Sequence, residues 1–333
     1  MKHFTLIIVF LIFLSSCVGT PEIAATETVV TPGTSTTLPV TSFREIWGYV
    51  VAGQEAALRR GLPITDVGYF GAEVNMYGAL TNVPNRQNLA GFTGKVHLVV
   101  TCGSNSLTYF TLMPGSPQRA ALITDLIAAT RNFDGLNIDF ENIPPRSGEA
   151  FLSFLRELRV GLPENKMLTI ALYARTRTLA NDVYDYEKIK PLVDRIFVMG
   201  YDEHWGGGPA GPVSSIRWSR SVAEYSMRVI GPEKLVMGIP FYGRAWVDTN
   251  HHRALIHSTI ERLINTYNAQ VRRENGIPTF DYVANVSVKV YFEDDISLST
   301  RFEMLKSMNV RAIGFWRIGQ ETQKVWDILR LEQ

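Results

Sequence analysis

The chain is predicted to be an α/β protein of the (β/α)8 type, a TIM barrel, on two observations. Eight short apolar runs alternate with longer stretches of helical character, and the first run is not followed by the Gly-x-Gly-x-x-Gly turn that opens a dinucleotide-binding sheet. Near-continuous apolar strands separated by crossover helices are what a parallel sheet covered on both faces requires. A doubly wound open sheet would produce a similar alternation, and the count of eight decides for the barrel.

Ahead of the first run stands a segment of another kind. Met1-Lys2-His3 followed by apolar Phe4 to Leu14 has the basic start and short apolar core of a secretory signal, too short to span a bilayer comfortably. Leu14-Ser15-Ser16-Cys17 resembles the lipobox of bacterial lipoproteins, which implies a signal peptide over 1–16 and lipidation of Cys17. Residues 17–42, rich in Thr, Pro, Val and Ala with almost no charge, have the composition of a flexible stalk. The protein is therefore expected to be exported and anchored to the bacterial cell membrane or outer membrane. The folded domain is expected from Phe43, leaving 333 − 42 = 291 residues, slightly more than the roughly 250 of a typical barrel.

The eight runs are Ile46–Val51, Val67–Phe70, Val96–Thr101, Leu136–Glu141, Leu168–Leu172, Ile196–Tyr201, Leu235–Pro240 and Ile313–Trp316. About seventy residues separate the last two. There Ser258–Arg273 has a helical pattern, and Thr279–Val283 and Val288–Phe292 read as a pair of strands. These predict a small α+β insertion over about 245–295, between strands 7 and 8, on the rim where barrel enzymes build their sites.

A formal charge of +1 lacks the clustered basic excess that neutralises phosphates, so no nucleic-acid partner is expected. With Cys17 lipidated, Cys102 has no disulfide partner and is expected to be a buried apolar residue. His251, His252 and His257 lack a second cluster at ligand spacing, so neither a metal nor a cofactor is expected. A monomer is expected.

Chemistry concentrates in Phe133–Pro145. In an extended strand Asn137, Asp139 and Glu141 share one face, while Leu136, Ile138 and Phe140 line the other. Pro144-Pro145 cannot continue a central strand, so the carboxylates arrive at its C-terminal end. Asp139 lies about 6.5–7 Å from Glu141 between Cα atoms, and its charge in a partly desolvated pocket favours neutral Glu141. Glu141 is thus the expected proton donor. Asp139, on the same strand and side, cannot readily attack a sugar from the opposite face.

Asp134-Gly135-Leu136-Asn137-Ile138-Asp139-Phe140-Glu141 resembles the Asp-Gly-x-Asp-x-Asp-x-Glu signature of glycoside hydrolase family 18, the chitinase-like enzymes, with Asn137 in place of the first inner aspartate. The Asn variant followed by two prolines resembles the spore-cortex and peptidoglycan N-acetylglucosaminidase branch. The resemblance implies a barrel that hydrolyses β-linked N-acetylglucosamine polymers, peptidoglycan ahead of chitin, with retention. In that chemistry the substrate's 2-acetamido oxygen is the nucleophile, and Asp139 orients the acetamide and stabilises its charge. Asn137 is expected to donate an amide N–H to Asp139 and hold it ionised.

Met199-Gly200-Tyr201-Asp202 resembles the family's Met-x-Tyr-Asp, which implies Tyr201 on the acetamide oxygen and Asp202 on the sugar. Gly206–Pro212 reads as a sugar-site loop, since it lacks the Gly-Lys-Ser/Thr ending of a phosphate loop. Trp316 resembles the last-strand tryptophan that floors the cleaved subsite. Trp205, Tyr242 and Trp246 are expected in rim loops, stacking on further sugars. The rival reading is a non-catalytic chitinase-like carbohydrate-binding lipoprotein, and the presence of Glu141 favours the enzyme. A metal-dependent barrel hydrolase fails on ligand count.

Overall fold

The computed structural model describes residues 37–333. The signal segment, Cys17 and most of the stalk lie outside the described residues. Each of the eight runs forms a barrel strand: β1 (Glu45–Val51), β2 (Asp66–Val74), β3 (Lys95–Cys102), β4 (Gly135–Asp139), β5 (Met167–Tyr173), β6 (Arg195–Met199), β7 (Leu235–Pro240) and β8 (Ala312–Trp316). All neighbours pair in parallel, and the β8–β1 and β1–β2 ladders close the barrel. β4 and β7 are buried at every position, which explains why their runs are apolar without interruption.

Gly135 shows how tightly the strands are set. A Cβ there would meet His97 Nδ1 at 2.5 Å and the Met167 carbonyl oxygen at 2.8 Å, so only glycine lets β4 start between its neighbours. The outer layer comprises α1 (Asn105–Leu112), α2 (Pro117–Thr130), α3 (Gly148–Gly161), α4 (Tyr186–Ile189), α5 (Ile216–Val229) and α7 (Asp295–Ser307). α2 starts as its sequence dictates, with Ser116 Oγ accepting from Arg119 N at 3.1 Å and Pro117 in the first turn, where a missing N–H costs nothing. The first two crossovers depart from the expected helices: they contain the 3-10 turns Glu55–Ala57 and Arg86–Leu89, and in the second also a two-residue strand, Leu80–Thr81, antiparallel to the end of β2.

The insertion is larger in strand content than expected. The helix α6 (His257–Tyr267) stops at Asn268, whose left-handed backbone (φ 47°) caps it, and the expected helical tail becomes the strand Arg272–Glu274. That strand, Ile277–Val283, Ser287–Tyr291, Gly243–Trp246 and His252–Leu255 form one antiparallel five-stranded sheet. It has its own small core around Phe280, Val290, Ile260 and Leu255. The ordered domain also starts slightly earlier than expected, because Thr41–Phe43 pairs in parallel with Leu329–Leu331. Cys102 is buried in the barrel core, and burial pushes its thiol up to about 11.

Candidate active site

A cleft of about 570 Å³ opens at the C-terminal end of the barrel, lined among others by Asp139, Glu141, Tyr201, Asp202, Trp205, Tyr242 and Trp316. Seven of the expected site residues are thus brought together. Trp246 is not: it lies in the Gly243–Trp246 strand, 3% exposed, packed edge-on against Tyr291. Both faces of this strand are covered, Ala245 by the insertion's own core and Trp246 by Ile277 and Tyr291, so the tryptophan expected in a rim loop is buried within a sheet. Tyr242 lines the cleft but is itself buried, and its hydroxyl donates to Asp202 Oδ1 at 2.7 Å. It therefore positions an acid rather than offering an open stacking face.

Asn137 takes a course other than the expected one. Its Nδ2 donates to Thr169 Oγ1 on β5 at 2.8 Å, and its Oδ1 accepts from the Tyr49 hydroxyl on β1 at 3.2 Å. The amide is consumed inside the barrel, so it does not hold Asp139 ionised. Asp139 Oδ1 is buried without a hydrogen-bond partner. Burial first, and the Glu141 charge second, push the Asp139 carboxyl up to about 8. Burial likewise raises Glu141, with the Tyr173 hydroxyl opposing and the Asp202 charge adding to the rise. Glu141 stands on the open side of the cleft, yet enough protein crowds it to disfavour its charge. The two groups form a proton-holding pair, with the more deeply buried member the better insulated.

β4 ends at Asp139, so Glu141 rides on the turn beyond the strand. Three hydroxyls pin that turn by its backbone: Tyr184 donates to the Phe140 carbonyl at 2.9 Å, Tyr173 to the Glu141 carbonyl at 2.9 Å, and Thr108 to the Asn142 carbonyl. Sequence reasoning missed all three. Only Tyr173 carried a signal, as a polar aromatic immediately after the fifth apolar run.

Asp202 sits just past β6 with a left-handed backbone (φ 59°), a conformation that aspartate tolerates better than most residues. Tyr242 and Arg244 Nη2, the latter also at 2.7 Å, converge on its Oδ1. Arg244 belongs to the insertion's first strand, so the insertion reaches the site through one guanidinium. Tyr201 is desolvated enough for its hydroxyl to titrate well above the usual tyrosine range and remains a donor at neutral pH. Trp316 forms the floor, held by Tyr49 at 5.5 Å and Phe70 at 5.2 Å between ring centroids. Trp205 is 61% exposed at the mouth, as a stacking surface requires. Among the described residues the three histidines do separate jobs: His251 pairs with Asp248, His257 with Glu261, and His252 lies on an insertion strand.

A parallel barrel with a buried Asp139 and an open-side Glu141 at the end of its fourth strand, set beneath aromatic walls, is by class a glycoside hydrolase. The chain belongs to the glycosyl hydrolases family 18, whose sequence profile matches residues 69–321. It is 27% identical over 290 residues to the cortical fragment-lytic enzyme of Bacillus anthracis, covering 80% of this chain and 67% of that protein. It is 28% identical over 215 residues to the uncharacterized glycosylase YvbX of Bacillus subtilis, covering 61% and 62%. The chain thus spans about two thirds or less of the length of these relatives. The fold superimposes on the Bacillus cereus spore cortex-lytic enzyme SleL with a TM-score of 0.78 at 23% identity, covering 88% of this chain and 76% of that one. For a chitinase from Chromobacterium violaceum the TM-score is 0.77 at 22% identity, covering 86% and 97%.

Proposed function

We propose that the protein is a retaining glycosidase that hydrolyses β-linked N-acetylglucosamine polymers, peptidoglycan in preference to chitin, by substrate-assisted catalysis. The observation that carries this reading is the placement of the cleft's acids. Asp139 ends β4 and Glu141 lies two residues on in the turn that follows, and the third acid, Asp202, is engaged by Tyr242 and Arg244. Among the described residues lining the cleft, that leaves no free carboxylate opposite Glu141 to act as the nucleophile of a two-carboxylate mechanism.

The substrate's acetamide supplies what the protein does not. Glu141 gives its proton to the glycosidic oxygen as the C1–O bond breaks, and the acetamide oxygen bonds to C1 to form an oxazolinium ion. In the productive state the one proton of the acid pair sits on Glu141 and Asp139 is ionised, so the unpartnered Asp139 Oδ1 accepts the acetamide N–H and balances the positive charge. Tyr201 donates to the acetamide oxygen. Ionised Glu141 then takes a proton from water as that water attacks C1, restoring the acetamide with the β configuration retained. The peptidoglycan preference is supported by the name of the Bacillus anthracis relative, a cortical fragment-lytic enzyme.

We further place the enzyme outside the cytoplasm as a monomer tethered through Cys17, with residues 18–40 as its tether. The support is the lipobox-like Leu14-Ser15-Ser16-Cys17.

The test of the mechanism uses N-acetylglucosamine oligomers with a free amine replacing the acetamide at the cleaved subsite. Cleavage is expected to vanish, and proton NMR in the first minutes of reaction with the intact substrate should show the β anomer. An inverted product, or cleavage of the amine substrate, would refute the reading.

A further inference from the structure

We infer that Arg317 binds a carboxylate of the glycan, the lactyl carboxylate of an N-acetylmuramic acid unit, and so makes the cleft favour an anionic strand over a neutral one. This rests on the peptidoglycan reading above and names the group that would carry it.

Arg317 directly follows Trp316, the floor of the cleft, and its Nη1 donates to Gln54 Oε1 in the loop that leaves β1. β8 and β1 are adjacent in the barrel, so Arg317 stands directly behind the floor residue at the C-terminal end of β8, reaching to the loop that leaves β1. Among the described residues its side-chain partner is a neutral amide. The other arginines of this region have carboxylates: Arg175 bonds Asp182 and Arg244 bonds Asp202, each at 2.7 Å. The acids closest along the chain to Gln54 and Arg317, Glu55 and Glu321, are engaged elsewhere. Glu55 accepts from Gly53 N at 2.9 Å and from the Tyr69 hydroxyl, and Glu321 accepts from Gly319 N at 2.6 Å and Trp326 Nε1 at 3.1 Å. Among the described residues, no acid forms an ion pair with Arg317. It is nevertheless half-buried, and desolvation of its charge, unrelieved by any neighbouring anion, lowers its pKa.

A half-buried guanidinium with only a neutral amide partner is poised for a carboxylate, which its planar fork can hold with two hydrogen bonds. Chitin has none to offer. In peptidoglycan strands N-acetylglucosamine alternates with N-acetylmuramic acid, whose O3 lactyl ether ends in a carboxylate where no peptide is attached. With N-acetylglucosamine over Trp316, as the proposed cleavage of N-acetylglucosamine linkages places it, both neighbouring sugars are muramic acid. A carboxylate therefore arrives one sugar from the floor.

The experiment measures kcat/KM of the wild type, Arg317→Ala and Arg317→Lys on four substrates. These are a peptide-free glycan strand, its lactyl methyl ester, a peptide-bearing strand, and a neutral N-acetylglucosamine oligomer of equal length. Arg317→Ala is expected to lose about 10-fold on the peptide-free acid, mainly through KM, and to stay within about twofold on the ester and the neutral oligomer. Arg317→Lys should recover part of the loss, and the wild-type preference for acid over ester should shrink with added salt. Equal losses on all substrates would mark a structural role and overturn the inference. No loss on an acid strand that the wild type cuts would overturn it while leaving the peptidoglycan reading intact. A loss confined to the peptide-bearing strand would overturn the lactyl assignment in favour of a peptide carboxylate. A wild type that cuts only the neutral oligomer would overturn the peptidoglycan reading and this inference together.

Discussion

Asn137 and Asp139 stand two residues apart on β4, and no hydrogen bond joins them: the Asn137 amide is spent on Thr169 Oγ1 at 2.8 Å, while Asp139 Oδ1 is buried without a partner. The resting site therefore holds an acid in an environment that favours its neutral form, with an acceptor available for substrate. An unsatisfied buried acceptor reduces stability, and here it occupies the point where the acetamide N–H is needed.

The first prediction concerns stability and pH. Between the ordinary carboxylate value of 3.8 and about 8, the folded chain holds a proton on Asp139 that the unfolded chain has released. Stability from this group is thus fully present below about pH 4 and is lost as pH rises through about 8. Asp139→Asn removes that dependence. Its Tm relative to wild type is expected to climb between pH 4 and 9, by on the order of 10 °C because a rise from 3.8 to about 8 corresponds to roughly 5 kcal/mol, in calorimetric scans across that range. A constant Tm difference across the range would contradict the raised acid.

Glu141→Gln keeps the shape of the side chain and removes its proton. Turnover should fall by about 10² to 10⁴ with little change in KM, as loss of a general acid predicts. Steady-state kinetics on an N-acetylglucosamine oligomer decides it, and a loss below tenfold would move the acid role elsewhere.

Asn137→Asp places a carboxylate between the Tyr49 and Thr169 hydroxyls, both able to donate to it. Activity should remain within about tenfold of wild type, with the alkaline limb of the pH–rate profile shifted upward as the added charge couples to Asp139 and Glu141. Complete inactivity in folded protein would show that the amide itself is required.

Cys17→Ala should move the protein from the membrane fraction to the soluble fraction or block its processing, because each buried CH2 of an acyl chain contributes about 0.8 kcal/mol. Fractionation with mass analysis of the N-terminus reads the result. Unchanged membrane association and no lipid on Cys17 would dismiss the anchor.

The sequence by itself determined the eight barrel strands, the shared face of Asp139 and Glu141, and the arrival of Tyr201, Asp202 and Trp316 at strand ends. These follow from alternation along an extended chain and from where apolar runs stop, and both are local properties of covalent geometry. Tertiary structure alone decided which groups meet across strands. Asn137 turned to Thr169 and Tyr49 because the β4–β5 register and barrel closure put those hydroxyls within reach. Arg244 met Asp202 and Trp246 was buried because Gly243–Trp246, expected in a rim loop, joins the insertion's sheet as a strand. The raised acid at Asp139 was equally invisible in the chain, since desolvation depends on everything packed around a carboxyl, and that packing is assembled from six or more separate segments that only closure of the barrel brings together.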